Sequence, residues 1–256
     1  MRDMEPDARD VEVAEEEVEG SPELGMTKEQ RAADVRQARM VCRALNVLTV
    51  VCCLWAWIYP RPYELAIASV LLLPWVAIYV TARYRGVVVI NQKKGDPHPT
   101  SIFAFMVPSL MLPLRVIPDM VPVGWQRPIV FGMVVAGGLT YAAYRADKAS
   151  QKQPVMALVL FLLSIGYGYG AVMETNALFD RTPAKVYLTR VERKYITHGK
   201  STSYHLEVAP WGPMRGGDNV TVTRQFYNAS EEGGHVCMML RSGALSVAWY
   251  QVRHCD

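Results

Sequence analysis

Charge is what the middle of this chain lacks. From Pro154 to Met173 twenty consecutive residues, PVMALVLFLLSIGYGYGAVM, carry none. At about 1.5 Å of rise per residue, such a helix covers the roughly 30 Å hydrocarbon core of a bilayer. Aromatic residues are missing from Met1–Gly25, where acids are dense (EVAEEEVEG). A segment with so little to bury does not offset its ordering entropy, so residues 1–26 are expected to form a disordered acidic tail. No apolar run occurs in those first 26 residues, which argues against a cleaved signal peptide and gives the first span the task of insertion. There is no carboxylate pair, serine elbow, glycine-rich phosphate loop or HExxH motif. These absences speak against an enzyme and against a cofactor or metal site. The net charge of +3 is too weak to argue for nucleic acid.

What is present is sharply segregated. Hydrophobic residues make up 51% of the chain and charged ones 20%. The apolar residues cluster between Cys42 and Met173, so residues 27–174 read as a helical membrane domain. Five spans are expected, at about 42–59, 63–82, 101–123, 128–144 and 154–173. Thr27 and Gln30 fit a capping box at the start of a basic lead-in helix, whose Arg31, Arg36, Arg39 and Arg43 suit anionic headgroups. Pro60 and Pro62 separate the first two spans, and Trp55, Trp57, Tyr59 and Tyr63 stand where an aromatic belt belongs.

Orientation follows from basic residues. With five spans, twelve lysines and arginines flank the cytoplasmic ends and two, Arg61 and Arg127, lie in outside loops. A re-entrant third segment would reduce the contrast to about ten against four. Five spans with the N-terminus cytoplasmic place the C-terminus outside, in the periplasm of a bacterial inner membrane.

Residues 175–256 have another texture. Tyr204, Leu206 and Val208, Val220 and Val222, and Val236, Met238 and Leu240 alternate with polar neighbours, and glycine or asparagine bounds the runs. This period of two predicts half-buried strands. Five strands in this length predict a small all-β domain, barrel-like and SH3- or OB-sized. NVTVTRQFY and ALSVAWYQV are read as two of them. Trp211, Arg215 and Trp249 are the candidate contact positions, with Trp249 better suited to the core.

Several residues invite chemistry. Gly166 and Gly170 sit in SIGYGYG at the end of an apolar span, where a small-xxx-small face for helix packing fits better than an ion filter. Gly137, Gly138 and Ala142 in the fourth span offer a partner surface. Arg115 and Asp119 are four apart in the third span, among Pro108, Pro113, Pro118 and Pro122. They read as an intramembrane polar pair: a snorkelling pair near the outer interface, or part of an ion or substrate path through a broken helix. Cys42, Cys52 and Cys53 suit apolar packing. Cys237 and Cys255 are a candidate disulfide in an oxidising compartment. A zinc site built from His235, Cys237, His254 and Cys255 is the alternative, with spacings unlike those of compact zinc motifs.

The ending Gly234-His-Val-Cys through Ser242-Gly-Ala-Leu to Trp249-Tyr250 resembles that of uncharacterised bacterial multi-pass inner-membrane proteins with a C-terminal periplasmic β-domain. The resemblance implies an inner-membrane origin and brings no activity with it. The order of parts, spans then a small β-barrel, is also similar to NfeD-type membrane proteins. The expectation is therefore a non-enzymatic membrane protein whose β-domain contacts a protein partner, the cell wall or its own copy. A small transporter or channel using the third span is the alternative.

Overall fold

The computed structural model describes residues 28–90, 98–147, 154–199 and 202–255. The acidic tail expected at 1–26 lies outside the described residues, as do Thr27, Lys93, Lys94, Lys148 and Lys152. The helices are α1 (Lys28–Ile58), α2 (Tyr63–Arg83), α3 (Ile102–Asp119), α4 (Gln126–Ala146) and α5 (Pro154–Leu178), with a short α6 (Arg224–Ala229) inside the β-domain. The strands are β1 (Val121–Pro122), β2 (Lys185–His198), β3 (Thr202–Val208), β4 (Asp218–Val222), β5 (His235–Arg241) and β6 (Trp249–Arg253). Among the described residues, four helices are long and apolar enough to cross a membrane: Ala33–Ile58, Tyr63–Arg83, Gln126–Ala146 and Val155–Leu178. The apolar part of α3, Ile102–Ile117, is shorter. The helix continues through Pro108 and Pro113. Large apolar side chains such as Leu54, Leu72, Val134 and Leu158 face outward. Water would penalise such surfaces at about 25 cal/mol per Å², whereas lipid tails do not.

The chain divides, between Met111 and Leu112, Val135 and Ala136, and Ile165 and Gly166, into two compact units. In the first, the segment after α2 meets the middle of α1 and the end of α4. The Ile90 amide donates to Asp147 Oδ2 at 3.1 Å, and Thr100 Oγ1 donates to the Ile90 carbonyl at 2.8 Å. Asn46 Nδ2 donates to the Thr100 carbonyl at 2.9 Å. Asp147 itself is buried. Polar backbone in such a turn must be paired, and these side chains pair it.

The second unit holds a single antiparallel sheet, ordered β1-β6-β5-β2-β3-β4. Six strands form it where five were expected. The extra one, β1, comes from the two residues Val121 and Pro122 just after α3, which pair with Tyr250 and Trp249. The run TRQFY also departs from expectation. Thr223 caps α6 by accepting from the Phe226 amide, so this stretch coils as a helix. ALSVAWYQV contributes only Trp249–Arg253 as strand.

The expected alternation places its apolar residues on one face. Val191, Leu206, Val208, Val220, Val236 and Met238 form a buried core with Trp211 and Tyr250. The sheet curls around it. Tyr250 on β6 donates its hydroxyl to Asp218 at the start of β4, although three strands separate them in the sheet order.

Gly170 is the tightest helix contact in this unit. A Cβ there would stand 2.8 Å from the Leu112 carbonyl carbon and 2.9 Å from Pro113 N. Gly132 on α4 approaches the backbone of Tyr169 in the same way, at 3.1 Å. Gly137 and Gly138, expected to be a partner surface, have nothing within 4 Å of such a Cβ among the described residues. Gly170→Ala should therefore destabilise the protein by about 1–3 kcal/mol through overpacking, read as a lowered thermal midpoint in detergent. Gly137→Ala, in open space within a helix, should leave that midpoint unchanged or raise it.

Candidate functional site

The β-domain is seated on the helix ends through one face of its sheet. Trp249 projects from β6 on the side opposite the barrel core. It packs with Val116 and Met120 of α3 and its following turn, Met173 of α5, and Val247, with Tyr169 and Ala177 alongside. Asn176, fully buried in the last turns of α5, fixes the loop before β6. Its Nδ2 donates to the Val247 carbonyl at 2.9 Å, and its Oδ1 accepts from the Leu245 amide at 2.9 Å. Its own carbonyl accepts from the Ala244 amide at 3.1 Å. Gly243 opens that loop at φ +76°, where a side chain would also collide with Asn176. Glu174, two residues earlier, is buried as well.

Two further contacts hold the seat. Asp180 accepts from the Thr182 amide at 2.9 Å and from the Gly243 amide at 2.9 Å. Partial burial opposes the Asp180 charge, but the Thr182 and Gly243 hydrogen bonds and nearby Arg241 outweigh it, so its carboxyl sits below the ordinary value. Arg127, at the start of α4, donates to the Ser246 carbonyl at 2.7 Å.

A second surface lies on the outward side of β2, β3 and β4. Register shifts between Val191 and Arg193, which turns Arg193 and Tyr195 outward. Arg193 lies across from Glu207, with Nε 3.6 Å from a carboxylate oxygen. Tyr195 stacks on His205 at 4.9 Å between ring centres. The Asn219 amide donates to the Tyr195 hydroxyl, and Thr221 meets His205 Nδ1 at 3.2 Å. This is an exposed polar and aromatic patch. No one residue of it stood out by motif; the strand pairing assembles it.

The residues singled out from sequence fall as follows. Trp211, expected on the surface, is buried in the barrel core, with its ring 4.8 Å from that of Tyr250. Burial, together with the hydrogen bond to Asp218, pushes the Tyr250 phenol up, so it remains a donor. Arg215 is exposed. Trp249 is buried, in the seat rather than in the barrel core. Arg115 is half-buried, while Asp119 ends α3 and its side chain lies outside the described residues. Gly166 is half-buried on the same helix as Gly170. Cys237 and Cys255 are joined by a disulfide. Their sulfurs are thereby unavailable to a metal, and His254 stacks on Phe226 at 4.1 Å. Among the described residues, no group of three or more His, Cys, Asp or Glu side chains is placed to hold a metal ion. Cys42, Cys52 and Cys53 are free, and the first and last of these are buried.

No protein-family model matches this chain, and no curated protein or solved structure matches it either.

The disulfide bridges a sequence separation of 18 and ties the end of β6 to β5. On the chain-entropy account, Cys255→Ser should cost the β-domain about 3 kcal/mol. Denaturant unfolding with and without reductant checks this: reductant should lower the wild-type midpoint and leave that of the variant unchanged.

Proposed function

We propose that this is a five-span protein of a bacterial inner membrane, with its N-terminus cytoplasmic and its β-domain in the periplasm. The β-domain acts as a non-enzymatic binding or assembly module that recruits a protein partner or a second copy. The observation that carries the topology is which helix ends share a unit. The residues after α3, the start of α4 and the end of α5 all meet the one sheet, through β1, Arg127 and Asn176. The end of α2, the start of α3 and the end of α4 meet instead around Ile90, Thr100 and Asp147. An alternating pattern of this kind is what successive crossings produce. It favours a crossing α3 over a re-entrant one, and the 18 residues of that helix supply about 27 Å.

The direction rests on the twelve-to-two bias of basic residues and on the Cys237–Cys255 disulfide, which suits an oxidising compartment. The binding role rests on the outward patch around Tyr195 and His205, which supplies stacking surface and hydrogen-bonding groups without a catalytic arrangement. The continuous helix through Pro108 and Pro113 favours this reading over transport through a broken third span.

Reporter fusions test the topology. Alkaline phosphatase fused after Gly124 or after Asp256 should be active, and a fluorescent protein that matures only in the cytoplasm should stay dark at both positions. Fluorescence after Asp256 with inactive phosphatase there would overturn the orientation.

A further inference from the structure

The sheet face that carries Trp249 extends well beyond the helices that Trp249 rests on. Alternation fixes which residues share it. Arg241 lies opposite Trp249, Met239 opposite Val186, and Cys237 opposite both Leu188 and Arg253. The residues between them, Val236, Met238 and Tyr250, point the other way into the core. One end of the face is thus packed on α3 and α5, and the remainder is uncovered.

That remainder is unusual in two respects. Its apolar side chains are open, with Leu188 63% and Val186 59% exposed. The charges that its strands contribute are of one sign, although Arg241 at the seat also faces Asp180. The paired part of β2 (KVYLTR), β5 (HVCMMLR) and β6 (WYQVR) contain no acidic residue, and Arg190, Arg241 and Arg253 project from the same side. The neighbouring outward patch on β2, β3 and β4 instead carries Glu207 against Arg193.

We propose that this uncovered basic and apolar face rests on the bilayer surface, with anionic lipid headgroups as its ligand. Three arguments name that occupant. The face is continuous with the seat on the spans, so whatever surrounds the spans continues beneath it. Arg190 and Arg253, which lie on the part of the face away from Asp180, complement phosphate groups, singly or as forks. Val186 and Leu188 supply apolar area to the headgroup boundary, the combination used by interfacial segments. The β-domain would then lie along the membrane and present its Tyr195–His205 patch away from it. This inference rests on the membrane topology proposed above.

Photocrosslinking of the full-length protein in vesicles tests it. A benzophenone amino acid replaces Leu188, or Val186 as a second site, with Leu158 in α5 as the span control and Glu207 as the exposed control. Thiol counting reports whether the Cys237–Cys255 disulfide has formed in each variant. In vesicles containing phosphatidylglycerol, lipid adducts are expected at Leu158, Leu188 and Val186 and not at Glu207. The yield at Leu188 should drop several-fold in phosphatidylcholine alone. Absence of lipid adducts at Leu188 and Val186, with an adduct at Leu158, would overturn the proposal while leaving the topology standing. A crosslinked dimer through Leu188 would overturn it in favour of a second copy, and equal yields in both vesicles would overturn the role given to the arginines. Absence of an adduct at Leu158 would overturn the membrane reading itself.

Discussion

The second unit depends on one buried amide. Asn176 lies in the last turn of a mostly apolar helix, and its side chain meets one backbone donor and one backbone acceptor in the loop before β6. Both groups are enclosed, and a buried carbonyl or amide left alone costs about 1–3 kcal/mol. Asparagine satisfies both at once because its side chain carries a donor and an acceptor. The loop is thereby held where Val247 and Trp249 can pack on Val116, Met120 and Met173. That loop leads into β6, which pairs with β1 and carries the Tyr250 hydroxyl that donates to Asp218 across the curled sheet.

A similar rule governs the first unit. The connection after α2 is irregular, and its polar groups are met by Asp147, Thr100 and Asn46 rather than by a ladder. Many large apolar residues on α1, α2, α4 and α5 face outward. The two patterns agree with each other. Much of the polar pairing lies near helix ends, with Asn46 in the middle of α1 as an exception, and apolar surface is left along helix flanks, as suits a bilayer.

Much of this architecture could be read from residues alone. The charge-free run before Met173 gave a helix because no strand of that length is compatible with it, and the alternation in Val236, Met238 and Leu240 gave a strand with its inner face correctly assigned. Other parts could not be read. Two residues of β1 carry no periodicity, and Pro122 argues against a strand until its edge position is known. Thr223 caps α6, yet Phe226 stands where a glutamate would complete a recognisable capping box, so the β-branched run before it dominates. Trp211 sits among glycines and prolines that signal an exposed turn, and tertiary packing folds that turn over the barrel instead. Gly132 and Gly137 look alike in sequence. Only their neighbours distinguish a close backbone approach from open space. The outward patch was hidden for the same reason, since Tyr195, His205 and Asn219 meet only after three strands pair.

The dependence on Asn176 is open to direct measurement. Amide hydrogen exchange of the full-length protein, in detergent or nanodiscs, should be compared between wild type and Asn176→Ala at Leu245 and along β6. Loss of about 1–3 kcal/mol at the latch predicts exchange at the Leu245 amide faster by roughly tenfold or more, spreading to Tyr250, with β3 and β4 less affected. Wild-type exchange at Leu245 and Tyr250 in a folded Asn176→Ala protein would contradict the account, because the sheet would then be held in place by something other than this helix end.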